Sequence, residues 1–248
     1  RVAITINYLA HGGAMYDAGA VFGAGRTVAL TAVHQVIAIL HSFVDETIRT
    51  PTTQEEWSKI CRDFEFVAGM PGVVGAIDGC LIRIKRLGDL DGWYCRRSYP
   101  AFNMMAVVDH RQRFMASSLR KGTQNDNSVF NRSIFARDIL PNIPQGTHIV
   151  GDAGYQLLST VLTPYPILSV MEAPNRWYNL VHSRTRIVVE KAFERLKGKF
   201  RVFKSDLSQE TPTAMDSVIK ATLVLDNWMI DLNATHNVKT WPLKIGWS

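Results

Sequence analysis

The sequence predicts an α/β protein in which helices cover the faces of a mixed β-sheet. Residues 73–77 form a short apolar run, and residues 81–85 alternate between apolar and basic side chains, so both segments have the character of strands. Residues 103–109 and 113–119 form a predicted hairpin, and His148–Val150 is a further short strand. Because helical patterns alternate with the later strands, we expect helices on the faces of the sheet.

Four segments of the main part of the chain have the characteristics of helices. They are residues 54–66, 129–140, 183–200 and 215–232. In the third, apolar side chains recur at Val189, Phe193 and Leu196, which places them on one face of the helix. That spacing predicts that the third helix packs its apolar face against the sheet.

Residues 1–50 form a separate helical segment in this prediction, and residues 51–248 form the main domain. The segment is interrupted by Gly12-Gly13 and by Gly23-Ala24-Gly25, and two short helices joined by such a turn are typical of a helix-turn-helix. Residues 26–39 would then be the recognition helix. A helical bundle packed on the main domain is an equal alternative, because Arg1 and Arg26 are the only Lys or Arg residues before position 49.

Length and composition indicate one large domain with a small appendage. The chain has 248 residues, of which 46% are hydrophobic and 20% are charged, and this is enough to bury a core. Polar residues such as His34 and Gln35 interrupt the longest apolar region, 28–44, so we expect neither a membrane span nor a signal peptide. The sequence begins at Arg1 instead of Met, and we expect an additional N-terminal piece in the natural protein.

The three cysteines argue against a structural zinc site and for a reducing intracellular compartment. Cys61, Cys80 and Cys95 are widely spaced and form no CxxC pair.

The positive charge of the chain is concentrated in one region. The formal net charge is +6 and the sequence pI is about 9.3, values that are compatible with a nucleic-acid partner. Residues 176–204 contain nine Lys or Arg and two Glu, a net +7, so the remainder of the chain has a net charge of −1. A nucleic-acid contact is therefore predicted on the 183–200 helix.

Two aspartates follow predicted strands at positions where ligand sites are often built. Asp78 follows the apolar run 73–77, and Asp152 follows His148–Val150 after one glycine. Sites in α/β sheets lie at such strand ends. Each aspartate alone is also compatible with an ordinary turn, since Asp-Gly is a common turn dipeptide.

Glu190 is the predicted third acid because it lies on the basic helix beside the apolar residues Val189 and Phe193. A surface salt bridge is the alternative, since Arg186 lies four residues before it.

Acids that lie together need a compensating cation. Two carboxylates about 4 Å apart repel each other by roughly 4 kcal/mol at an effective dielectric constant near 20. Oxygen ligands favour Mg²⁺ or Mn²⁺, and two such ions can support phosphodiester cleavage. A basic helix beside them would hold the phosphate backbone.

Three stretches resemble the signatures of the PIF/Harbinger DDE transposases, a group that includes the Harbinger-derived nuclease of vertebrates. The first is PGVVGAIDG at 71–79, and the second is GDAGY at 151–155 followed by LTPY at 162–165. The third comprises Asn179, His182 and the residues around Glu190. The three acids are separated by 74 and 38 positions, which also suits this family.

The resemblance implies an RNase H-like fold with Asp78, Asp152 and Glu190 as the catalytic and metal-binding acids. It also implies that Asp126 is a candidate fourth metal ligand, although the neighbours of Asp126 differ from the family pattern. The alternative for Asp126 is an N-cap of the helix that begins near Ser128. Asp226 stands where relatives commonly have His.

The resemblance therefore predicts a metal-dependent DNA endonuclease that cuts transposon ends and transfers the 3′-hydroxyl strand to target DNA. The cofactor would be Mg²⁺ or Mn²⁺. The predicted partners are double-stranded DNA, further copies of the chain and a Myb-like accessory protein. Localisation would be nuclear, or cytoplasmic without that partner. The predicted backbone-binding residues are Arg186, Lys191, Arg195, Lys197, Lys199 and Arg201.

Two alternatives remain. One is a domesticated relative that binds DNA or chromatin partners and does not cut. The other is a hydrolase of RNA or of RNA–DNA hybrids on the same fold, which the full set of motifs disfavours.

Overall fold

A five-stranded mixed sheet lies at the centre of the protein, as the sequence predicts. The computed structural model describes residues 1–86, 88, 92–166 and 172–236. The strand order is β3-β2-β1-β4-β5, with antiparallel β1–β2 and β2–β3 pairs and parallel β1–β4 and β4–β5 pairs. The strands are β1 (Val73–Arg83), β2 (Ala101–Val108), β3 (Phe114–Lys121), β4 (His148–Val150) and β5 (Val161–Leu162).

The two strands predicted at 73–77 and 81–85 are one continuous strand, β1. Its antiparallel pairing with β2 runs without interruption from Ala76 opposite Val108 to Arg83 opposite Ala101. Asp78 and Gly79 therefore lie inside a ladder, and the turn interpretation of this dipeptide is wrong. The predicted hairpin of β2 and β3 and the short strand β4 are confirmed.

Both faces of the sheet are buried, because side chains alternate between two hydrophobic cores along β2. Met104, Ala106 and Val108 belong to the first core, while Met105 and Val107 belong to the second. The first core also receives the N-terminal and C-terminal helices, whereas the second receives helical residues from the middle of the chain.

Four helices lie within residues 1–50, so the predicted helical character of the N-terminal segment is confirmed. They are α1 (Val2–His11), α2 (Met15–Ala20), α3 (Arg26–Ser42) and α4 (Val44–Thr47). α3 buries one face, which includes Val33, Val36 and Leu40, in the first core. The division into residues 1–50 and 51–248 stays a prediction, as does the helix-turn-helix interpretation.

The remaining helices are α5 (Gln54–Ala68), α6 (Asp126–Asn131), α7 (Ala173–Lys199) and α8 (Pro212–His236). Two of them differ from the prediction. The helix expected over 129–140 is interrupted at Ser133, whose hydroxyl group donates to Phe130 O (2.7 Å) and accepts from Ala136 N (3.1 Å). A π-helical turn (Phe135–Ile139) and a 3₁₀ turn (Leu140–Asn142) follow.

α7 begins ten residues before its predicted start. Pro174 lies in its first turn, where the missing N–H of proline would have no helical partner. α3 and α8 both pack on α7's side of the sheet, and none of the described helices is long and apolar enough to span a membrane.

Candidate functional site

The pairing of β1 with β4 places Asp78 and Asp152 beside each other. The two strands are parallel, and Ala76 pairs with Val150. Asp78 and Asp152 each lie two residues beyond this pair. The Asp152 side chain also accepts a hydrogen bond from Gly154 N (2.9 Å), so it opens a turn at the end of β4 as well.

Asp126 joins these two aspartates from α6. A Cβ atom at position 79 would lie 2.1 Å from Asp126 Oδ1, so the missing side chain of Gly79 makes room for this carboxylate. Asn103 on β2 holds the same oxygen, since Asn103 Nδ2 donates to Asp126 Oδ1 (2.8 Å). The N-cap interpretation of Asp126 is wrong, because Asn125 caps the helix by accepting from Ser128 N (2.8 Å).

Glu190 is connected to Asp78 through Arg186. The Arg186 guanidinium donates to Asp78 Oδ2 through Nη1 (3.2 Å) and to Glu190 Oε1 through Nη2. The helical salt bridge considered for Glu190 is therefore present, and it extends to the first aspartate. The side chains of Arg186 and Asp78 are 20% and 18% exposed, whereas that of Glu190 is 42% exposed.

The electrostatic surroundings of Asp78 favour its protonated form. Burial is the main cause, and the negative charges of Asp152 and Asp126 act in the same direction. The hydrogen bond from Gly79 N and the charge of Arg186 oppose them. The net effect of these opposing influences is a pKa of Asp78 raised from 3.8 to about 6. Burial thus outweighs the stabilising charge of Arg186.

Tyr155 brings an unpaired polar group to the same region. Its hydroxyl oxygen is buried and has no hydrogen-bond partner. The pKa of Tyr155 is raised mainly by burial, and also by the charges of Asp126, Asp78 and Asp152. The buried Oδ1 atom of Asn103, whose amide group holds Asp126, also has no partner.

The donor set fits a hard divalent cation. Asp78, Asp126 and Asp152 supply carboxylate oxygens, the ligands that Mg²⁺ and Mn²⁺ prefer. Their mutual repulsion and the two unpaired buried polar atoms would both be relieved by a hydrated cation. Within the described part of the chain, no three His, Cys, Asp or Glu side chains already converge into a metal-binding group. Binding would therefore require side-chain rearrangement.

The later sequence motifs contact each other beside this cluster. Asn179 accepts from Tyr165 N (2.8 Å) and donates to Tyr165 O (3.1 Å), and His182 Nε2 lies 3.1 Å from Leu162 O. Leu162 belongs to β5, the neighbour of β4. These motif residues therefore fasten the first half of α7 to the strand beside Asp152.

The six predicted backbone-binding residues have different surroundings. Lys191 and Arg201 are exposed, and Lys199 is partly exposed. Lys197 Nζ donates to Leu81 O on β1 (3.0 Å), so it lies against the sheet. Arg186 is bound to two acids of the candidate site. The assignment of these residues to contacts with the DNA backbone stays a prediction.

Arg195, the sixth of these residues, has a structural ion pair. Its guanidinium binds the carboxylate of Asp226 on α8, through Nε to Oδ1 (3.2 Å) and through Nη2 to Oδ2. It also donates to Gln112 O (2.9 Å) in the β2–β3 turn. Asp226 is fully buried. Asp226, which the resemblance places where relatives commonly have His, is therefore the partner of Arg195.

Comparison with known families identifies this arrangement of strands and acids. The model of the family described as DDE superfamily endonuclease matches residues 77–227, more than half of the chain. The chain belongs to this family. The matched residues begin one position before Asp78 and end one position after Asp226, so they include all four candidate acids.

Relatives from animals and plants support the Harbinger resemblance predicted from the motifs. The chain is 26% identical to mouse "Putative nuclease HARBI1" and 25% identical to its human counterpart, over 97% of this chain and 68% of each relative. It is 26% identical to the Arabidopsis thaliana protein "Antagonist of like heterochromatin protein 1", over 93% of this chain and 62% of that protein. No solved structure matches. The predicted membership of the PIF/Harbinger group is confirmed.

The sequence motifs of this family member do not identify Asn103 and Tyr155 as parts of the site. Asn103 had a detectable signal, because it is the one polar residue in the apolar segment that became β2. Tyr155 was part of the second motif, but nothing in the sequence showed that its hydroxyl group would be buried near three aspartates.

Proposed function

We propose that this DDE endonuclease-family protein is a metal-dependent transposase that cuts DNA at the ends of a transposon and joins the freed 3′-hydroxyl end to target DNA. The observation that carries the proposal is the placement of Asp78 on β1, Asp152 just beyond β4 and Asp126 against Gly79, beside the Arg186-linked Glu190. The family and its nuclease-named relatives support the nuclease part of the proposal.

In this proposal Asp78 on β1 and Asp152 just beyond β4 hold the divalent ions, and Glu190 completes the set from α7. Asp126, oriented by Asn103, is the fourth candidate ligand. Two Mg²⁺ or Mn²⁺ ions, when bound, supply a nucleophilic water and stabilise the leaving oxygen. The same acids would serve hydrolysis and strand transfer, since both reactions displace an oxygen at phosphorus.

Double-stranded DNA is the proposed substrate, and the C-terminal half of α7 is its proposed contact. Lys191 and Arg201 are exposed, and Lys199 is partly exposed, on or just after this helix. Lysine and arginine that replace counterions along DNA make binding strongly dependent on salt. A binding constant that did not change with salt concentration would count against this contact.

A nicking assay tests the proposed chemistry. The substrate is a supercoiled plasmid that carries candidate terminal inverted repeats, with Mg²⁺ or Mn²⁺ added. We expect cleavage by the parent and a loss of more than about a hundredfold in Asp152→Asn and Glu190→Gln, beyond the effect of removing an outer-shell partner. Glu194→Gln, an exposed glutamate one turn along α7, is the matched control and should retain cleavage. Equal cleavage by the parent and both site variants would remove this assignment.

Binding to DNA or chromatin partners without cleavage is the second candidate function. Two observations favour it: a plant relative is named as an antagonist of a heterochromatin protein, and Arg186 already occupies oxygens of Asp78 and Glu190. Tight DNA binding by the parent, with no nicking under either metal, would favour this function over the transposase.

The proposed setting is the nucleus, with cytoplasmic location when an accessory protein is missing. A Myb-like partner and assembly of several copies on DNA belong to the same proposal. Co-expression with candidate Myb-like proteins, followed by imaging of the tagged chain, would test the first point, and sedimentation with and without DNA would test the second.

A further inference from the structure

Arg186 occupies the position of a cation between two acids that the proposed reaction needs as metal ligands. Its guanidinium binds Asp78 on β1 and Glu190 on α7 at once. Asp78 and Glu190 are separated by 112 positions in the chain, and Arg186 is the described side chain that connects them. Its own side chain is only 20% exposed.

We infer that Arg186 is an internal counter-cation that links Asp78 to Glu190 while the site holds no divalent ion and must release at least one of them for metal to bind. This inference rests on the proposed metal-dependent function. Two physical reasons support it. A carboxylate oxygen already bound to a guanidinium is less available as a ligand, and a fixed positive charge beside a dication is unfavourable.

Such a link has a predictable effect on metal affinity. The apparent affinity of a ligand equals its intrinsic affinity multiplied by the fraction of molecules in the binding-competent arrangement. A link that is closed in roughly nine molecules of ten would weaken binding about tenfold. A residue that only orients the acids for the metal would have the opposite effect, because its removal would weaken metal binding. The sign of the change therefore separates the two roles.

Mn²⁺ binding to the full chain without DNA provides the test, measured as free Mn²⁺ by electron paramagnetic resonance. We expect Arg186→Gln to bind Mn²⁺ about three to thirty times more tightly than the parent. Arg184→Gln is the matched control, since it removes the same charge from an exposed position two residues away. Its effect should be clearly smaller. Arg186→Lys keeps the charge but has one ammonium group that cannot span both acids as a guanidinium does, so its affinity should lie between those of the parent and Arg186→Gln.

Asp152→Asn distinguishes failure of this inference from failure of the proposed function. If the parent binds Mn²⁺ and Asp152→Asn does not, the metal site stands, and unchanged or weaker binding by Arg186→Gln then overturns only the role of Arg186. If the parent shows no Mn²⁺ binding that depends on Asp152, both proposals fail. Should Arg186→Gln not fold, tighter binding by Arg186→Lys than by the parent supports the inference, and equal or weaker binding overturns it.

Discussion

Asp78 is the residue for which assembling the site has the greatest free-energy cost. Its carboxyl group is mostly buried, and two further aspartates lie close to it. Between the ordinary aspartate pKa of 3.8 and its raised pKa of about 6, the folded protein binds more protons than the unfolded chain. The contribution of Asp78 to stability is therefore present at low pH and is lost as pH rises through about 6.

We predict that this loss is measurable in chelated protein. The free energy of unfolding of Asp78→Asn, minus that of the parent, should increase between pH 4 and pH 7 by up to about 3 kcal/mol, because two pKa units correspond to that amount. Urea unfolding across this pH range measures it. Asp138→Asn, an exposed aspartate in the π-helical turn, is the control for the loss of one charge. A difference that stayed constant with pH would contradict the raised pKa of Asp78.

The local sequence pattern identified some residues of the site and not others. Asp78 and Asp152 could be predicted because each follows a strand-like segment, and Glu190 because it stands beside an apolar stripe and matches a motif. The link between Arg186 and Asp78 could not be predicted, since it joins positions 108 apart. The close approach of the Asp126 carboxylate to Gly79 could not be predicted either, because it depends on how α6 packs on the sheet.

At the scale of elements, α7 and α8 are joined by a buried ion pair. Arg195 and Asp226 face each other between these helices, and their side chains are 18% and 0% exposed. Removing one member of such a pair leaves an uncompensated charge, which typically costs about 3–5 kcal/mol, whereas replacing both by apolar residues is often neutral.

We predict that Arg195→Met destabilises the protein by about 3–5 kcal/mol and that adding Asp226→Leu recovers most of this loss. Urea unfolding of the two variants measures both effects. Lys199→Met, a partly exposed lysine at the end of α7, is the control and should change stability by less than about 1 kcal/mol. If Arg195→Met were no less stable than this control, the pair would contribute little, and Arg195 would be available for a contact with DNA.

Periodicity predicted the elements well where apolar residues mark the strand or helix. It predicted them poorly where side chains change the main-chain hydrogen bonding or the segment resembles a loop. β2, β3 and β4 were found near their predicted positions because each contains consecutive apolar residues. The 129–140 helix was overpredicted, since Ser133 competes for main-chain hydrogen bonds. The early start of α7 was missed because Pro174 and the surrounding aromatic residues resemble a loop.

At the scale of the whole molecule, the N-terminal helices share the first hydrophobic core with the sheet. Two buried hydrogen bonds connect them to the remainder of the chain. Gln209 Nε2 donates to Tyr8 Oη (2.7 Å), and Asn227 Nδ2 donates to Thr47 O (3.2 Å). Asn227 also exchanges hydrogen bonds with the main chain of Phe114, the first residue of β3. These contacts connect α1 to the segment before α8, and α4 to α8 and through Asn227 to the sheet.

We therefore predict that residues 1–50 unfold together with the rest of the protein. All six tryptophans lie after position 50, but Trp228 packs against Phe43 (ring centroids 5.4 Å apart). In a Trp228→Phe variant, tryptophan fluorescence therefore reports on 51–248, whereas far-ultraviolet circular dichroism also reports on α1–α4. In urea the two signals should give the same midpoint and slope. An earlier transition in circular dichroism that is missing from fluorescence would show that the N-terminal helices form an independent unit.

The parallel pairing of β1 with β4 also affects the order of events when the chain folds. β1, β2 and β3 join neighbours along the chain, and contacts between nearby segments form faster than distant ones. Asp78 meets Asp152 only after β4, 74 positions later, has docked on β1. We expect the apolar framework to form before the charged groups approach each other. A ribosome-bound chain that ends before β4 would thus hold Asp78 without the charge of Asp152, and the acidic cluster would be completed late in folding.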